Sequence, residues 1–208
     1  MTDDSLEKVA AEVRACTKCP LHRSRTHAVP GDGSPQAQIM FIGEGPGFHE
    51  DQSGLPFVGA AGNFLNELLT SVGLKREDVF ITNVVKCRPP GNRDPLPEEI
   101  EACRDYLDRQ IELINPKVIV TLGRYSMARW FPAARISHIH GKPRQFGKRL
   151  VIPFYHPAAA LRQPSLHRTV VEDFAKLPEF VSRALEAHPD DQAGNEDAGE
   201  QLQQLSLF

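Results

Sequence analysis

Three groups of residues in this sequence have types and spacings that suit chemistry. The first is a Gly-rich turn at residues 43–47 (GEGPG), which contains Glu44 and is followed by Glu50. It comes directly after the apolar run 38–42 and shortly before a helical pattern. A strand, a Gly-rich turn and a helix bring backbone N–H groups and acids to the carboxyl end of a parallel sheet. The turn alone is equally compatible with a tight connection between two core elements.

The second group is the four cysteines of the chain, which are Cys16, Cys19, Cys87 and Cys103. The first two form a C-x-x-C pair. Disulfides are rare in the cytosol, so this usage favours metal binding over four unrelated core thiols. Four thiolates suit either a tetrahedral zinc ion or a 4Fe–4S cluster, and their spacing does not decide between the two.

The third group consists of polar and aromatic residues near strand ends. Asn83 interrupts an apolar run, where its amide must be satisfied by neighbouring backbone or by a ligand such as the edge of a nucleobase. His156 follows another apolar run, and Phe57 lies between a proline and a glycine. Phe57 either fills the core or stacks on a planar base. Because strand ends of such sheets converge, we expect the turn, Asn83 and His156 to share a pocket.

The elements that must position these residues alternate along the chain. Apolar strand patterns occupy residues 37–42, 79–85, 117–122 and 149–155. Helical patterns occupy residues 5–15, 60–72, 97–114, 124–131 and 167–187, with Pro178 marking a kink or a new start. This alternation predicts an α/β fold of three layers, α/β/α, with a four-stranded parallel sheet.

The composition is that of a globular domain followed by an acidic carboxyl-terminal segment. The formal charge is −3, but residues 186–208 hold six acids and no Lys or Arg, so residues 1–185 carry +3. A mildly basic body is compatible with a nucleic-acid partner. We expect solvated, phosphate-holding charges at the basic residues of the loops: Lys86, Arg88, Arg93, Lys142, Arg144, Lys148, Arg149, Arg162 and Arg168.

The two ends of the chain give further expectations. No apolar run reaches membrane length and the first residues are acidic and polar, which predicts an intracellular, cytoplasmic protein. Residues 188–203 are polar and acidic and are expected to form a disordered linker. The last five residues, from Gln204 to Phe208 (QLSLF), contain three large apolar side chains without a core to join.

Taken in order, these motifs resemble those of the family 4 uracil-DNA glycosylases, the iron–sulfur members of the uracil-DNA glycosylase superfamily. The resemblance is carried by GEGPG, ED, G-x-PFVG-x-AG, ITNVVKCRPP-x-NR-x-P, HPA and the four cysteines. It implies that residues 1–187 form a uracil-DNA glycosylase domain. It also implies a 4Fe–4S cluster on the four cysteines and hydrolysis of the bond between uracil and deoxyribose in DNA, the first step of base-excision repair.

The resemblance also implies roles for the pocket residues. Phe57 would stack on the flipped uracil, and Asn83 would pair with its O4 and N3–H. Gly45 would offer a backbone N–H, and His156 a side-chain donor, to O2. These donors would stabilise the negative charge on the departing uracil. Because an amide can flip to suit cytosine, we also expect a contact that fixes the Asn83 side chain.

The acids and the wedge complete the implied site. Glu44 would position or activate water, and Glu50 would crowd the C5 side of the base and disfavour thymine. Which of these two acids supports the chemistry is left open at this stage. Leu161 and Arg162 are the candidates for the wedge that replaces the flipped base.

Several alternatives bear on this interpretation. Glu44 argues against a broader-specificity branch that lacks this acid, and residues 88–97 contain no His that would suit the branch that links covalently to DNA. A metal-stapled DNA-binding module without catalysis is the alternative from another class. Residues 204–208 resemble the peptide by which bacterial repair proteins bind the sliding clamp. We therefore expect a nucleoid-associated monomer with uracil-containing DNA and the clamp as partners.

Overall fold

The computed structural model describes residues 4–187, which form one sheet with helices on both of its faces. The strands are β1 (Asp32–Gly33), β2 (Ile39–Gly43), β3 (Phe80–Asn83), β4 (Val118–Leu122), β5 (Arg144–Phe146) and β6 (Arg149–Phe154). The α-helices are α1 (Leu6–Ala15), α2 (Phe48–Ser53), α3 (Ala60–Ser71), α4 (Pro97–Ile114), α5 (Arg124–Ala128), α6 (Ile136–Ile139), α7 (Pro157–Arg162), α8 (His167–Ala175) and α9 (Leu177–Glu186). Short 3₁₀ helices occupy Pro20–Arg23, Arg76–Asp78, Pro90–Asn92 and Pro164–Leu166.

The sheet has six strands in the order β1-β3-β2-β4-β6-β5. Its four central strands are parallel, as predicted, but β1 and β5 pair antiparallel with β3 and β6 at the two edges. The expectation of a four-stranded, all-parallel sheet is therefore wrong, because the sheet is mixed. The edge strands escaped prediction because they are two and three residues long, too short to show the alternation of a half-buried strand.

Alternation along the central strands divides the core between the two faces of the sheet. In β2, Ile39 and Phe41 join the cluster that contains the apolar residues of α3, α8 and α9. Met40 and Ile42 point to the other face and join the cluster formed with α4 and the residues around α5. Successive side chains of a strand point to opposite faces, so a fully apolar strand serves two layers at once.

A third apolar cluster fastens the N-terminal helix to the sheet. Val9 and Val13 of α1 pack with Cys87, Cys103 and Tyr106. At the surface, Arg109 of α4 pairs with Asp4 and Glu12, its guanidinium nitrogens lying 2.6 Å and 2.5 Å from their carboxylate oxygens. Cys87, which lies after β3, and Cys103 of α4 thus pack with α1, which is distant from both in sequence.

The chain ends its central strands at one edge of the sheet, where the site lies. Gly43 and Asn83 are the last residues of β2 and β3 and are directly opposite each other in the register. Near the carboxyl end, the helical pattern 167–187 divides at Lys176 into α8 and α9, as Pro178 indicated. None of the helices within residues 4–187 is long and apolar enough to cross a membrane. The predicted linker 188–203 and peptide 204–208 lie outside the described residues.

Candidate active site

One cavity of about 690 Å³ opens at the carboxyl edge of the parallel strands, within the size range of small-molecule pockets. Its lining includes all eight residues that the sequence assigned to the pocket and its rim: Glu44, Gly45, Glu50, Phe57, Asn83, His156, Leu161 and Arg162. Residues separated by more than a hundred positions therefore meet in one place. The structure brings the predicted set together, and their contacts distinguish what each can do.

Asn83 carries an unpartnered polar atom inside the protein. Its side chain is 1% exposed, and its Oδ1 is buried without a hydrogen-bond partner within the described chain. Buried polar atoms are nearly always paired, so an orphan in a pocket wall points to a ligand that supplies the donor. The fixing contact predicted for this amide is therefore absent at Oδ1.

Gly43 makes room for this amide. A Cβ at position 43 would lie 2.4 Å from Asn83 Oδ1 and 2.7 Å from Cζ of Phe57. Real Cβ atoms do not approach other atoms so closely. A side chain at position 43 would therefore displace Asn83 or Phe57 from its place in the pocket wall. Gly43 thus allows the amide edge of Asn83 and the ring of Phe57 to stand side by side, as recognition of a planar base requires.

Lys86, which the sequence suggested was a solvated charge, is fully buried. Its Nζ donates to Thr82 Oγ1 at 2.5 Å, to the backbone carbonyl of Asn83 at 2.9 Å and to Gln110 Oε1 at 2.7 Å. Burial lowers the pKa of Lys86 to about 7. The expectation of a phosphate-holding surface charge is wrong here, because the ammonium instead holds the backbone of the residue that carries the orphan amide.

His156 has a defined tautomer. Its Nδ1 lies 3.1 Å from the backbone N–H of Ala158 and accepts that hydrogen bond, so in the neutral ring Nε2 carries the proton. Burial, followed by the positive charge of Arg162, lowers the pKa of His156 to about 4. The imidazole is therefore neutral at physiological pH and offers one N–H donor to the pocket.

The two acids of the site differ in their surroundings. Burial, followed by the negative charge of Asp94, raises the pKa of Glu44, while Arg124 and Arg162 oppose the rise. Glu50 accepts three backbone hydrogen bonds: from Gly47 at 3.0 Å on Oε2, and from Val58 at 2.9 Å and Gly59 at 3.0 Å on Oε1. The carboxylate of Glu50 is thereby committed to tying the Gly-rich turn to the segment that carries Phe57.

Phe57 is held in a backbone conformation that side chains rarely adopt. Its φ is 52°, in the left-handed region, and its ring stacks on that of His156 at a centroid distance of 5.4 Å. A Cβ on Gly62 of α3 would lie 1.9 Å from the Phe57 carbonyl oxygen, so this strained carbonyl rests directly on the helix. Such strain persists only where the surroundings hold the backbone in place.

Arg76 supplies this support and was not recognised from the sequence. Its Nη1 donates to the Phe57 carbonyl at 3.1 Å and its Nη2 donates to the Pro56 carbonyl, while Asp32 lies 3.7 Å from its Nε. The planar guanidinium places two donors side by side in a fixed geometry that matches two adjacent carbonyls. Arg76 is therefore a positioning residue that acts through the backbone of Phe57.

We expect Arg76→Met to lower kcat/KM of the reaction at this site by at least about tenfold, because each hydrogen bond from a charged donor contributes about 1.5–3 kcal/mol. If Arg76 acts through Phe57, the same substitution in a Phe57→Ala background should cost less than about twofold. Equal losses in both backgrounds would contradict the positioning role. Arg183→Met, which breaks an exposed pair with Glu179, is the control for loss of an arginine.

The rim of the pocket is basic but partly neutralised. Leu161 is 47% exposed at the end of α7, and Arg162 beside it donates from Nε to the carbonyl of Ala158 at 3.3 Å. Arg93 is paired with the buried Glu99 through two hydrogen bonds, and Arg124 is paired with Asp94. Leu161 and Arg162 are therefore more available for contact with a ligand at this rim than Arg93 is.

The four cysteines, Cys16, Cys19, Cys87 and Cys103, all line a second, small cavity of about 10 Å³. All four are free thiols. Within residues 4–187, no group of three or more His, Cys, Asp or Glu side chains is gathered closely enough to hold a metal ion. If the four cysteines hold a metal or a cluster, their thiolates would be its ligands and would link the segments of the chain that carry them.

Donors already point at these sulfur atoms. Arg25 donates from Nη1 to Cys87 Sγ at 3.1 Å, and the backbone N–H of Lys18 lies 3.4 Å from Cys16 Sγ. Burial raises the pKa of Cys19, Cys87 and Cys103, that of Cys103 to about 11. Donors of this kind suit sulfur ligands that carry negative charge, as in an iron–sulfur site.

Comparisons with known proteins agree with this geometry. The family model described as the uracil DNA glycosylase superfamily matches residues 30–186. The chain is 52% identical to the type-4 uracil-DNA glycosylase of Sulfurisphaera tokodaii over 188 residues, which cover 86% of each protein. It is 49% identical to that of Archaeoglobus fulgidus (86% of this chain, 95% of the relative) and 47% identical to that of Thermotoga maritima (87% and 97%). Because the family model matches most of the chain and these relatives are 47–52% identical over 86–87% of it, the chain belongs to the type-4, or family 4, uracil-DNA glycosylases.

Proposed function

We propose that this protein is a monofunctional uracil-DNA glycosylase, which hydrolyses the N-glycosidic bond of flipped-out uracil in DNA and leaves an abasic site that starts base-excision repair. The observation that carries the proposal is the buried, unpartnered Oδ1 of Asn83 in a pocket with Phe57 and His156. Uracil presents a donor at N3 and an acceptor at O4, which match the amide of Asn83. Phe57 provides the aromatic surface for stacking.

Bond cleavage places negative charge on the departing uracil and positive charge on the sugar. The neutral His156 donates from Nε2, and Gly45 from its backbone N–H, to O2, where that negative charge develops. A donor that is already neutral and oriented needs no proton transfer before it acts. Its hydrogen bond from Ala158 holds the ring in this tautomer.

Glu44 is the acid that we assign to water and to the positive sugar. The charges of Asp94 and Arg124 lie near it, and within residues 4–187 its carboxylate accepts no hydrogen bond. Its oxygens thus remain available for a water molecule. Glu50, whose oxygens hold three backbone N–H groups, instead fixes the pocket wall on the side proposed for C5 of the base. Leu161 and Arg162 would fill the space that the flipped nucleotide leaves in the DNA.

The direct test is release of uracil from DNA. Purified protein is incubated with single- and double-stranded oligonucleotides that contain one uracil, and abasic sites are then cleaved with alkali. We expect strand breaks at the uracil position with wild-type protein and none with matched thymine substrates. Binding of the oligonucleotides without strand breaks would instead support a DNA-binding module that lacks catalysis.

We further propose that Cys16, Cys19, Cys87 and Cys103 hold a 4Fe–4S cluster. The shared cavity and the donors from Arg25 and Lys18 support this ligand set. The iron–sulfur cluster would link α1, the segment after β3 and α4 covalently. The group of apolar residues around Val9, which otherwise joins these segments, is small.

We expect anaerobically purified protein to be coloured, because an iron–sulfur cluster absorbs visible light whereas zinc thiolates do not, and Cys103→Ser to lose the colour and the bound iron. Loss of this covalent link should also lower the midpoint of thermal unfolding, because metal-binding free energy contributes to folding. Colourless protein containing one zinc ion would contradict the cluster. The control is Ser71→Ala on α3, far from the cysteines along the chain.

We also propose that the tail, with a linker at 188–203 and a peptide at 204–208, tethers a monomeric enzyme to the bacterial sliding clamp in the nucleoid. The support lies in the sequence, where an acidic spacer precedes apolar anchors, a pattern suited to peptide-in-groove recognition. Deleting residues 204–208 should abolish clamp binding in a pull-down with purified clamp and leave uracil release from free oligonucleotides unchanged. Full clamp binding by the truncated protein would refute this tether.

A further inference from the structure

The most exposed of the large apolar side chains within residues 4–187 lies beside the pocket. Phe48, the first residue of α2, is 51% exposed. The other phenylalanines of the described chain are buried or partly buried. An aromatic ring held in water contributes little to folding, and exposed aromatic surface next to a site commonly marks an interaction.

This ring is accompanied by a fixed cation. The guanidinium carbon of Arg88 lies 5.1 Å from the centroid of the Phe48 ring, and its Nε donates to Asn92 Oδ1 at 2.7 Å. The hydrogen bond orients the guanidinium, so the ring and the charge form one unit. An aromatic surface joined to a cation is the combination with which proteins bind single-stranded nucleic acid, the ring contacting a base and the cation its phosphate.

The unit is continuous with the uracil pocket. Gly47, directly before Phe48, lines the pocket and is fixed through its N–H by Glu50. Pro89, which follows Arg88, and Asn92, which accepts the hydrogen bond of Arg88, also line the pocket. Phe48 and Arg88 are therefore each joined to the pocket wall, while the Phe48 ring is half exposed.

We propose that Phe48, supported by Arg88, stacks on the nucleobase that neighbours the flipped uracil in DNA. When uracil leaves the stack, its neighbour loses one stacking partner, and an aromatic ring at the pocket rim replaces it. This inference rests on the proposed excision of uracil from DNA and adds a subsite for a flanking nucleotide. The residue is a binding residue and takes no part in breaking the bond.

The test compares substrates with and without the neighbouring base. Single-stranded oligonucleotides carry uracil next to a normal nucleotide or next to a tetrahydrofuran abasic analogue, placed on the 5′ side in one series and on the 3′ side in the other. Phe48→Ala should lower kcat/KM about 5- to 160-fold on the normal substrate, since stacking contributes about 1–3 kcal/mol per base. On one of the two abasic series the loss should shrink to less than about twofold.

Phe48→Trp should retain the wild-type dependence on the flanking base, because the larger ring stacks as well. Leu113→Ala, which truncates an exposed apolar side chain in the last turn of α4, should leave kcat/KM unchanged on the normal and the abasic substrates. Unchanged kcat/KM for Phe48→Ala, or an equal loss on all substrates, would overturn the proposal. Absence of uracil release by wild-type protein in the same assay would instead reject the proposed function.

Discussion

Replacing His156 with alanine should slow uracil release by about 10²- to 10³-fold, the effect of removing one donor aimed at a developing negative charge. The reason lies in its hydrogen bond from Ala158, which leaves Nε2–H directed to other partners. The measurement is the single-turnover rate on a uracil oligonucleotide at saturating enzyme. His138→Ala, at an exposed histidine that does not line the pocket, is the matched control. A loss of less than about threefold for His156→Ala would contradict its assignment as a donor.

The same substitution should change the dependence of stability on pH. The pKa of His156 is lowered from an ordinary 6.5 to about 4 in the folded protein. Between these values the unfolded chain binds a proton at this position and the folded chain does not, so folding loses stability as pH falls. Urea titrations at pH 7 and pH 5 should therefore show a smaller advantage of wild type over His156→Ala at the lower pH. An advantage that grows on acidification would contradict the lowered pKa.

Asn83→Asp is expected to have the second large effect. The carboxylate replaces the amide donor and would face O4 of uracil with a negative charge, so kcat/KM on uracil should fall at least about a hundredfold, as in sites that lose an essential hydrogen bond. The ratio of uracil to cytosine excision should fall with it. The measurement uses paired oligonucleotides that differ only at the target base.

The controls separate charge from recognition. Asn63→Asp introduces the same charge at an exposed position of α3 that does not line the pocket, and it should leave the ratio unchanged. A ratio that also stays at the wild-type value in Asn83→Asp would remove Asn83 from base reading. Thermal unfolding of both variants distinguishes lost recognition from lost fold.

Most of the central fold was predictable because its signals are local. The apolar runs identified β2, β3, β4 and β6, and helical periodicity identified α1, α3 and α4. The edge strands and α2 were missed because they are short, with two, three and six residues, and follow or contain turn-forming residues. The mixed sheet results from these additions alone.

The residues that line the site were predictable from the sequence, but the residues that hold its backbone in place were not. Family motifs identified Asn83, Phe57 and His156, all of which line one pocket. Lys86 and Arg76 could not be interpreted from charge, because the groups to which they donate hydrogen bonds are uncharged, among them backbone carbonyls, a threonine hydroxyl and a glutamine. The position of Lys86 directly after the apolar run 79–85 was the available signal that a charge could turn inward.

The two edge strands have a consequence for the behaviour of the protein in concentrated solution. Open sheet edges are templates on which further chains can add, which leads to aggregation. β1 covers one side with two residues that include Asp32, and β5 covers the other with the exposed Arg144 and Gln145. Short, polar and charged edge strands of this kind discourage pairing between the sheets of two molecules. β1 and β5 therefore protect the apolar parallel strands between them from aggregation.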